Sequence, residues 1–238
     1  MRVKGVKRNR KITTTEQPTK KQRIINIFLI DASSSMNEYG RYINAMLGVN
    51  TMLADIKKDE YTENYVQIIE FANHDIVTMV KLTNEIPDSY KGRGAGGWTP
   101  LNQAVGETLE KIIVTREKEF DANVKILVNV LTDGEENYSE GKWHNARGGG
   151  QLLGQIIKAL ESQGVTVTFM GAKNEVNYAI DILNLQSSNT LVHDNTGADI
   201  LRSYERTVTA RQLYSKSVSK GEDVKESFYT KTLDKNDK

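Results

Sequence analysis

"IFLIDASSSM", residues 27–36, ends a run of four apolar side chains on one carboxylate, Asp31, and follows it almost at once with three hydroxyls. The run closes "RIINIFLID" (23–31), which is rich in β-branched residues and nearly continuous, the pattern of a strand buried on both faces. A second run of the same kind, "VKILVNVLTD", ends on Asp133. Around these two runs the apolar spacing keeps switching. Tyr42, Met46, Val49, Leu53 and Ile56 recur at three and four residues, as do Leu101, Val105, Leu109 and Ile112, and again Leu153, Ile156, Ile157 and Leu160. Each stripe predicts an amphipathic helix. A weaker helix is expected near Val176 to Leu183 and a last one at about 197–213, carrying Leu201, Tyr204 and Val208. "YVQIIEF" and "IVTMVKL", split by the polar "ANHD", read as a hairpin, and "VTVTFMG" and "TLVH" as further strands. Strands alternating with helices predict an α/β domain with a doubly wound, mostly parallel sheet, one antiparallel edge strand, and helices on both faces.

Bulk properties agree with one such domain. The chain has 238 residues, 38% apolar and 26% charged, an ordinary globular composition. No apolar run approaches the roughly 18 residues that span a bilayer, and the basic N-terminus lacks the apolar core of a secretory signal. With no cysteine, disulfides, thiolate metal sites and thiol nucleophiles are excluded. A cytoplasmic location is the expectation. Residues 1–22 hold eight of the 32 Lys and Arg but one of the 31 acids, so the arm is +7 and the remainder −6. That arm, with "TTTEQPTKK", buries too little to offset ordering entropy and reads as flexible. A basic arm can touch nucleic acid or an acidic partner, but a solvated tail is the stronger reading. Residues 214–238 mix both signs and read as a polar C-terminal tail, leaving 23–213 as the folded domain.

In open α/β sheets, ligands sit beyond the carboxyl ends of the strands, where strand order reverses. Asp31 and Asp133 each close a buried strand, so both are expected to face one crevice. Ser33 and Ser35, at alternate positions after Asp31, can turn towards the same point, and Thr99 in "GRGAGGWTPL" supplies a third hydroxyl from a loop. Two carboxylates and three hydroxyls form an all-oxygen set, which suits Mg2+, Mn2+ or Ca2+ rather than zinc.

In that order and spacing, the Asp-x-Ser-x-Ser of "DASSS", the threonine of "GGWTPL" and the aspartate of "LTDGEEN" resemble the metal-ion-dependent adhesion site (MIDAS) of von Willebrand factor A (vWA) domains, over roughly residues 23–213. The resemblance implies that Ser33 and Ser35 ligate the metal directly, Thr99 directly or through water, and Asp31 and Asp133 directly or through water. It also implies Mg2+ as cofactor and a sixth ligand from an acidic residue of a protein partner. In the family, movement of the last helix is coupled to the metal-coordination state. A small cysteine-free chain resembles the intracellular bacterial or phage-encoded members, which work beside an AAA+ ATPase or within a larger assembly. Trp98 is a departure, standing between the glycine pair and Thr99.

Competing readings are specific. "DASSSM" taken alone is a good helix cap. "GRGAGG" matches the dinucleotide fingerprint, but no strand precedes it directly, so a flexible loop carrying Thr99 reads better. Trp98, Glu135 and Trp143 are candidates for a partner-binding rim, against ordinary packing for the tryptophans and solvation for Glu135 and Glu136. His74, His144 and His193 are scattered and fit surface or capping roles. A metal-dependent phosphohydrolase of the haloacid dehalogenase type would need a second acid two residues after Asp31, where Ser33 stands, and a serine hydrolase would need a placed histidine. The expectation is no catalysis, with a structural role in an assembly as the main alternative to metal-dependent binding.

Overall fold

The computed structural model describes residues 21–73, 75–119, 124–222 and 228–229. The expected flexible arm therefore lies, apart from Lys21 and Gln22, outside the described residues, as does His74. Six strands form one sheet in the order β3-β2-β1-β4-β5-β6: β1 Arg23–Asp31, β2 Glu63–Ala72, β3 Asp75–Thr83, β4 Val124–Leu131, β5 Val165–Gly171 and β6 Thr190–Val192. All pairings are parallel except β2 with β3, the expected hairpin. The helices are α1 Arg41–Lys57, α2 Leu101–Glu119, α3 Gly149–Glu161, α4 Lys173–Asp181 and α5 Gly197–Ser219. Among the described residues no helix is long and apolar enough to cross a membrane.

The near-continuous apolarity of β1 follows from its place at the centre. Ile24, Phe28 and Ile30 join the core under α1 and α5, while Ile25, Ile27 and Leu29 join the core under α2, α3 and α4. Chain reversal happens at β1: β2 lies on one side of it and β4 on the other. The carboxyl ends of β1 and β4 thus flank the crevice where an open α/β sheet takes ligands.

The sheet's opposite end is held by a buried polar network. Asn26 interrupts the apolar run of β1, and its Oδ1 accepts from Nε of Arg211 on α5 at 3.2 Å. Arg211, fully buried, donates further to Asp55 (3.0 Å), Asp59 (2.9 Å) and Asn64 (2.7 Å). Asp59 also accepts from Ser215 and Thr62. This one guanidinium ties α5 to α1, β1 and β2.

The C-terminal segment differs from the expected polar tail. Helix α5 runs past residue 213 to Ser219, and Tyr214, Val218, Phe228 and Tyr229 all join the core. Phe228 stacks obliquely on Tyr214 at 5.7 Å, and the Tyr229 amide donates to the Ser188 carbonyl at 2.8 Å. Polar residues of this stretch, such as Ser215 and Ser217, are buried too. A mixed composition concealed them because their partners come from distant elements.

Burial acts to raise the Asp59 carboxyl, but hydrogen bonds from Ser215 and Asn64 and the Arg211 charge hold it well below the usual carboxylate range. Its folded value lies below the unfolded one of about 3.9, so its stabilisation is present above that pH and is lost as pH falls through and below it. Urea unfolding between about pH 5 and pH 3 should show stability falling with pH, and Asp59→Asn should flatten that slope. Arg211→Met, which strands two partly buried carboxylates, should cost about 3 kcal/mol at neutral pH. A slope unchanged in Asp59→Asn would remove the network from the account of stability.

Candidate metal centre

Three loops meet beyond β1 and β4. After Asp31, the chain enters a short 3-10 turn, Ser34–Gly40, before α1. This loop is zipped to the glycine loop of residues 92–98: Gly96 N donates to Ala32 O (2.7 Å), Ser34 N to Gly97 O (2.9 Å), and Gly97 N to Ser34 Oγ (2.7 Å). Gly97 has φ +92°, and a Cβ there would fall 2.2 Å from the Asn73 side chain. Only glycine fits that crossing. Asn73 in turn exchanges hydrogen bonds with Trp98, its Oδ1 accepting from Trp98 N and its own N donating to Trp98 O. Thr99 follows, and its backbone pairs both ways with Asn137 from the loop after Asp133.

Behind the glycine loop, Glu70 of β2 is fully buried and accepts from the hydroxyls of Tyr42 (2.8 Å) and Tyr90 (2.5 Å) and from the Arg93 amide (3.2 Å). Burial and the Glu70 hydrogen bond push the Tyr42 hydroxyl up to about 12. The acid anchors the loop that carries Thr99.

The oxygens converge. Asp31 has no exposed surface; its Oδ1 accepts from Ser33 N (2.7 Å) and its Oδ2 from Thr132 Oγ1 (2.6 Å). Ser33 Oγ lies 3.1 Å from Ser35 Oγ, and Ser35 Oγ donates to Asp133 Oδ1 at 2.7 Å. The open face of Gly134 marks the meeting point. A Cβ on that residue would lie 2.9 Å from Thr99 Oγ1, 3.3 Å from Ser35 Oγ and 3.7 Å from Asp31 Oδ2. Side-chain oxygens from two of the loops therefore face a space that the glycine of the third leaves open. Burial pushes the Asp31 carboxyl up to about 7, against the hydrogen bonds from Thr132 and Ser33, with the Asp133 charge adding to the rise. A nearby positive charge would restore the carboxylate. Among the described residues no three His, Cys, Asp or Glu side chains could hold a metal together, so a cation here would need hydroxyl ligands, a donor set that suits hard divalent ions.

The five expected residues, Asp31, Ser33, Ser35, Thr99 and Asp133, thus lie together. Of the proposed rim, Trp98 is 59% exposed and stacks on Tyr138 at 6.1 Å, and Glu135 is exposed. Trp143 is a correction: it is buried, with its ring filling the space over Gly106 of α2, where a Cβ would come within 2.4 Å of it. Glu136 is no solvated acid either, since its carboxylate accepts from the Asn102 amide in the first turn of α2 (2.7 Å) and from Ser139. His144 caps the Ala146 amide at the surface, whereas His193 accepts from the Asn195 amide in the interior, and burial lowers its basicity.

Sequence reading missed Arg41. Its Nη1 donates to Asp133 Oδ2 (2.7 Å) and Ser35 O (3.1 Å), and its Nε to Asn195 O (2.8 Å). A signal existed: a base at the first position of a helix opposes the helix dipole, and such a break of a local rule marks a tertiary role. Glu70 and Asn26, polar interruptions of apolar strands, carry the same kind of signal.

Gly134→Ala introduces a methyl into the oxygen-lined space without demanding an unusual backbone. It should weaken Mg2+ binding, measured by calorimetric titration, at least about ten-fold while leaving the metal-free melting temperature nearly unchanged. Undiminished binding would place the cation elsewhere.

No protein-family model matches the sequence, and a search of curated proteins returns no match. Solved structures do match. The ArnB paralog VWA2 from Sulfolobus acidocaldarius superposes with a TM-score of 0.53 at 18% identity, covering 77% of this chain and 44% of that one. Proximal thread matrix protein 1 from the mussel byssus, with a zinc-occupied MIDAS motif, gives 0.55 at 16%, covering 82% and 46%. The SpRpn10 VWA domain gives 0.52 at 14%, covering 75% and 94%. The chain spans less than half the length of the first two. Sheet order, the single antiparallel strand and these superpositions together give the conclusion that the chain has the Rossmann-like α/β fold of von Willebrand factor A domains.

Proposed function

We propose that the chain is a divalent-cation-dependent protein-binding module. In this reading Ser33, Ser35 and Thr99 hold Mg2+, or Mn2+ or Ca2+ in its place, with Asp31 and Asp133 supplying the balancing charge directly or through water. Bound there, the ion offers a Lewis-acidic position to an oxygen anion. A Glu or Asp side chain of a partner protein completes it, and Trp98 and Glu135 on the rim contribute contact and selection. The observation that carries the proposal is the convergence of Asp31, Ser35 and Thr99 oxygens on the face of Gly134. A zinc-occupied MIDAS motif in the mussel thread protein of the same fold supports a divalent metal in this reading.

A structural role in an assembly, with no metal used, is the second reading. The Arg41–Asp133 ion pair favours it, because it already neutralises one of the two carboxylates. Catalysis fits less well: Asp31 is without exposed surface and both its oxygens accept hydrogen bonds, so it is closed to in-line attack on a phosphoryl group. By resemblance, a cytoplasmic setting beside an AAA+ ATPase or within a larger assembly is part of the proposal. Contact of the basic arm with nucleic acid is not.

Titration of Mg2+ into the wild-type protein should give saturable binding that raises the melting temperature. Ser33→Ala and Asp31→Ala should both lose it, and Ser33→Ala should melt as the metal-free wild type does. Binding that survives in both variants would contradict the site. Absence of binding in the wild type would leave the assembly reading. Metal-dependent hydrolysis of nitrophenyl phosphate abolished by Asp31→Asn would overturn the exclusion of catalysis.

A further inference from the structure

Arg41 is placed against its local preference and enclosed. It opens α1, where the helix dipole opposes a base, and its side chain is only 8% exposed. Its Nη1 donates to Asp133 Oδ2 (2.7 Å) and Ser35 O (3.1 Å), and its Nε to Asn195 O (2.8 Å). The guanidinium carbon lies 5.2 Å from the centre of the Tyr39 ring. Glu38, a mostly exposed acid, stands further off, 3.7 Å from Nη2.

Holding loops together does not by itself call for this charge. Removing an ion pair from water costs about as much as the attraction gives back, and neutral groups of similar volume often stabilise as well. A neutral donor would satisfy the Ser35 and Asn195 carbonyls. What a neutral donor would not do is alter the charge of Asp133. That side chain has no exposed surface, and both its oxygens are engaged, Oδ1 by Ser35 Oγ at 2.7 Å and Oδ2 by Arg41. Asp133 therefore connects the guanidinium directly to a hydroxyl of the oxygen cluster.

We propose that Arg41 is a built-in counter-cation that lowers the affinity of the cluster for divalent ions by acting through Asp133. The inference rests on the metal-dependent reading and adds the regulation of that site. With both carboxylates ionised, Asp31 and Asp133 bring a charge of −2 and Arg41 offsets one of these, so an arriving divalent ion meets −1 rather than −2. A cation hydrogen-bonded to one oxygen of a carboxylate draws charge from the other. The Ser35 hydroxyl that donates to that other oxygen is then a weaker metal ligand, since groups behind a ligand tune its donor strength. Repulsion between guanidinium and ion works in the same direction, and the two covered side chains leave little water to screen it. Arg41 is thus a positioning residue and not a ligand. Its presence sets the site to fill and empty with divalent-ion concentration instead of holding an ion permanently.

The test is calorimetric titration of magnesium chloride into the full chain as wild type, Arg41→Gln, which removes the charge but keeps a donor, and Arg41→Lys, which keeps the charge. Lys58→Gln, at the exposed far end of α1, controls for overall charge. Arg41→Gln should bind magnesium about ten-fold tighter than the wild type. Its metal-free melting temperature should be lower and should rise further on adding magnesium. Arg41→Lys should gain none of that affinity, and Lys58→Gln should bind as the wild type does. Arg41→Met replaces Arg41→Gln if the latter does not melt cooperatively. A purely structural Arg41 would instead lose affinity in the Gln, Met and Lys variants alike. Binding in the neutral variants equal to or weaker than in the wild type would overturn the proposal and leave the metal site standing. An equal gain in Arg41→Lys or Lys58→Gln would also overturn it, because the charge at position 41 would not be the cause. No binding in any of the proteins would remove this proposal and the metal-dependent reading together. A wild type that does not bind beside an Arg41→Gln variant that does would support the proposal, with the guanidinium outcompeting the ion.

Discussion

The carboxyl end of the sheet depends on one contact, the hydrogen bond from Thr132 Oγ1 to Asp31 Oδ2 at 2.6 Å. It joins the ends of β1 and β4, the two strands between which the chain order reverses. Asp31 is fully buried, and each of its oxygens is matched, so the turn that follows is set by Ser33 N closing onto Oδ1. From that turn, Ser35 is delivered to Asp133 with Ser33 beside it, and Ser34 to the glycine loop. A carboxylate in this place works first as a joint of the backbone. Its suitability as a metal neighbour follows, because the same geometry brings hydroxyls from the other loops to within reach of one point.

Two buried acids divide the labour of holding the loops. Asp31 fixes the loop that carries Ser33 and Ser35, and Glu70, through Tyr42, Tyr90 and the Arg93 amide, fixes the loop that carries Thr99. Arg41 adds a link of another kind, reaching from Asp133 to the Asn195 carbonyl just before α5. Arg41 thus bridges the oxygen cluster and the chain entering α5, and Arg211, further along that helix, ties it to Asp55 and Asp59. Named hydrogen bonds therefore lead from the oxygen cluster to the Asn195 carbonyl, two residues before the last helix.

Much of this was legible in the residues. Periodicity located all five helices and the hairpin because their apolar faces pack on one sheet, and local pattern records burial well. "DASSS", "WTPL" and "LTD" were legible as one cluster because the doubly wound fold brings strand ends together regardless of sequence distance. What stayed hidden shares a cause: it depends on partners far along the chain. Trp143 read equally as a rim residue or as ordinary packing, and Gly106 vacates the space that packs it. Phe228 and Tyr229 sit in a polar stretch, yet Asn189 and Ser188 receive them. Arg41, Glu70 and Asn26 each violated a local preference, and each proved to serve a tertiary network. Such violations were the readable trace of what spacing alone could not assign.

The proposed function stands on a cation held where the three loops meet. Crystals soaked in manganese chloride and measured at the manganese absorption edge test it most directly. One strong anomalous peak is expected within about 2.5 Å of Ser33 Oγ and Ser35 Oγ, on the open face of Gly134. A well-ordered structure with no anomalous density there, and with Ser35 still donating to Asp133, would contradict it.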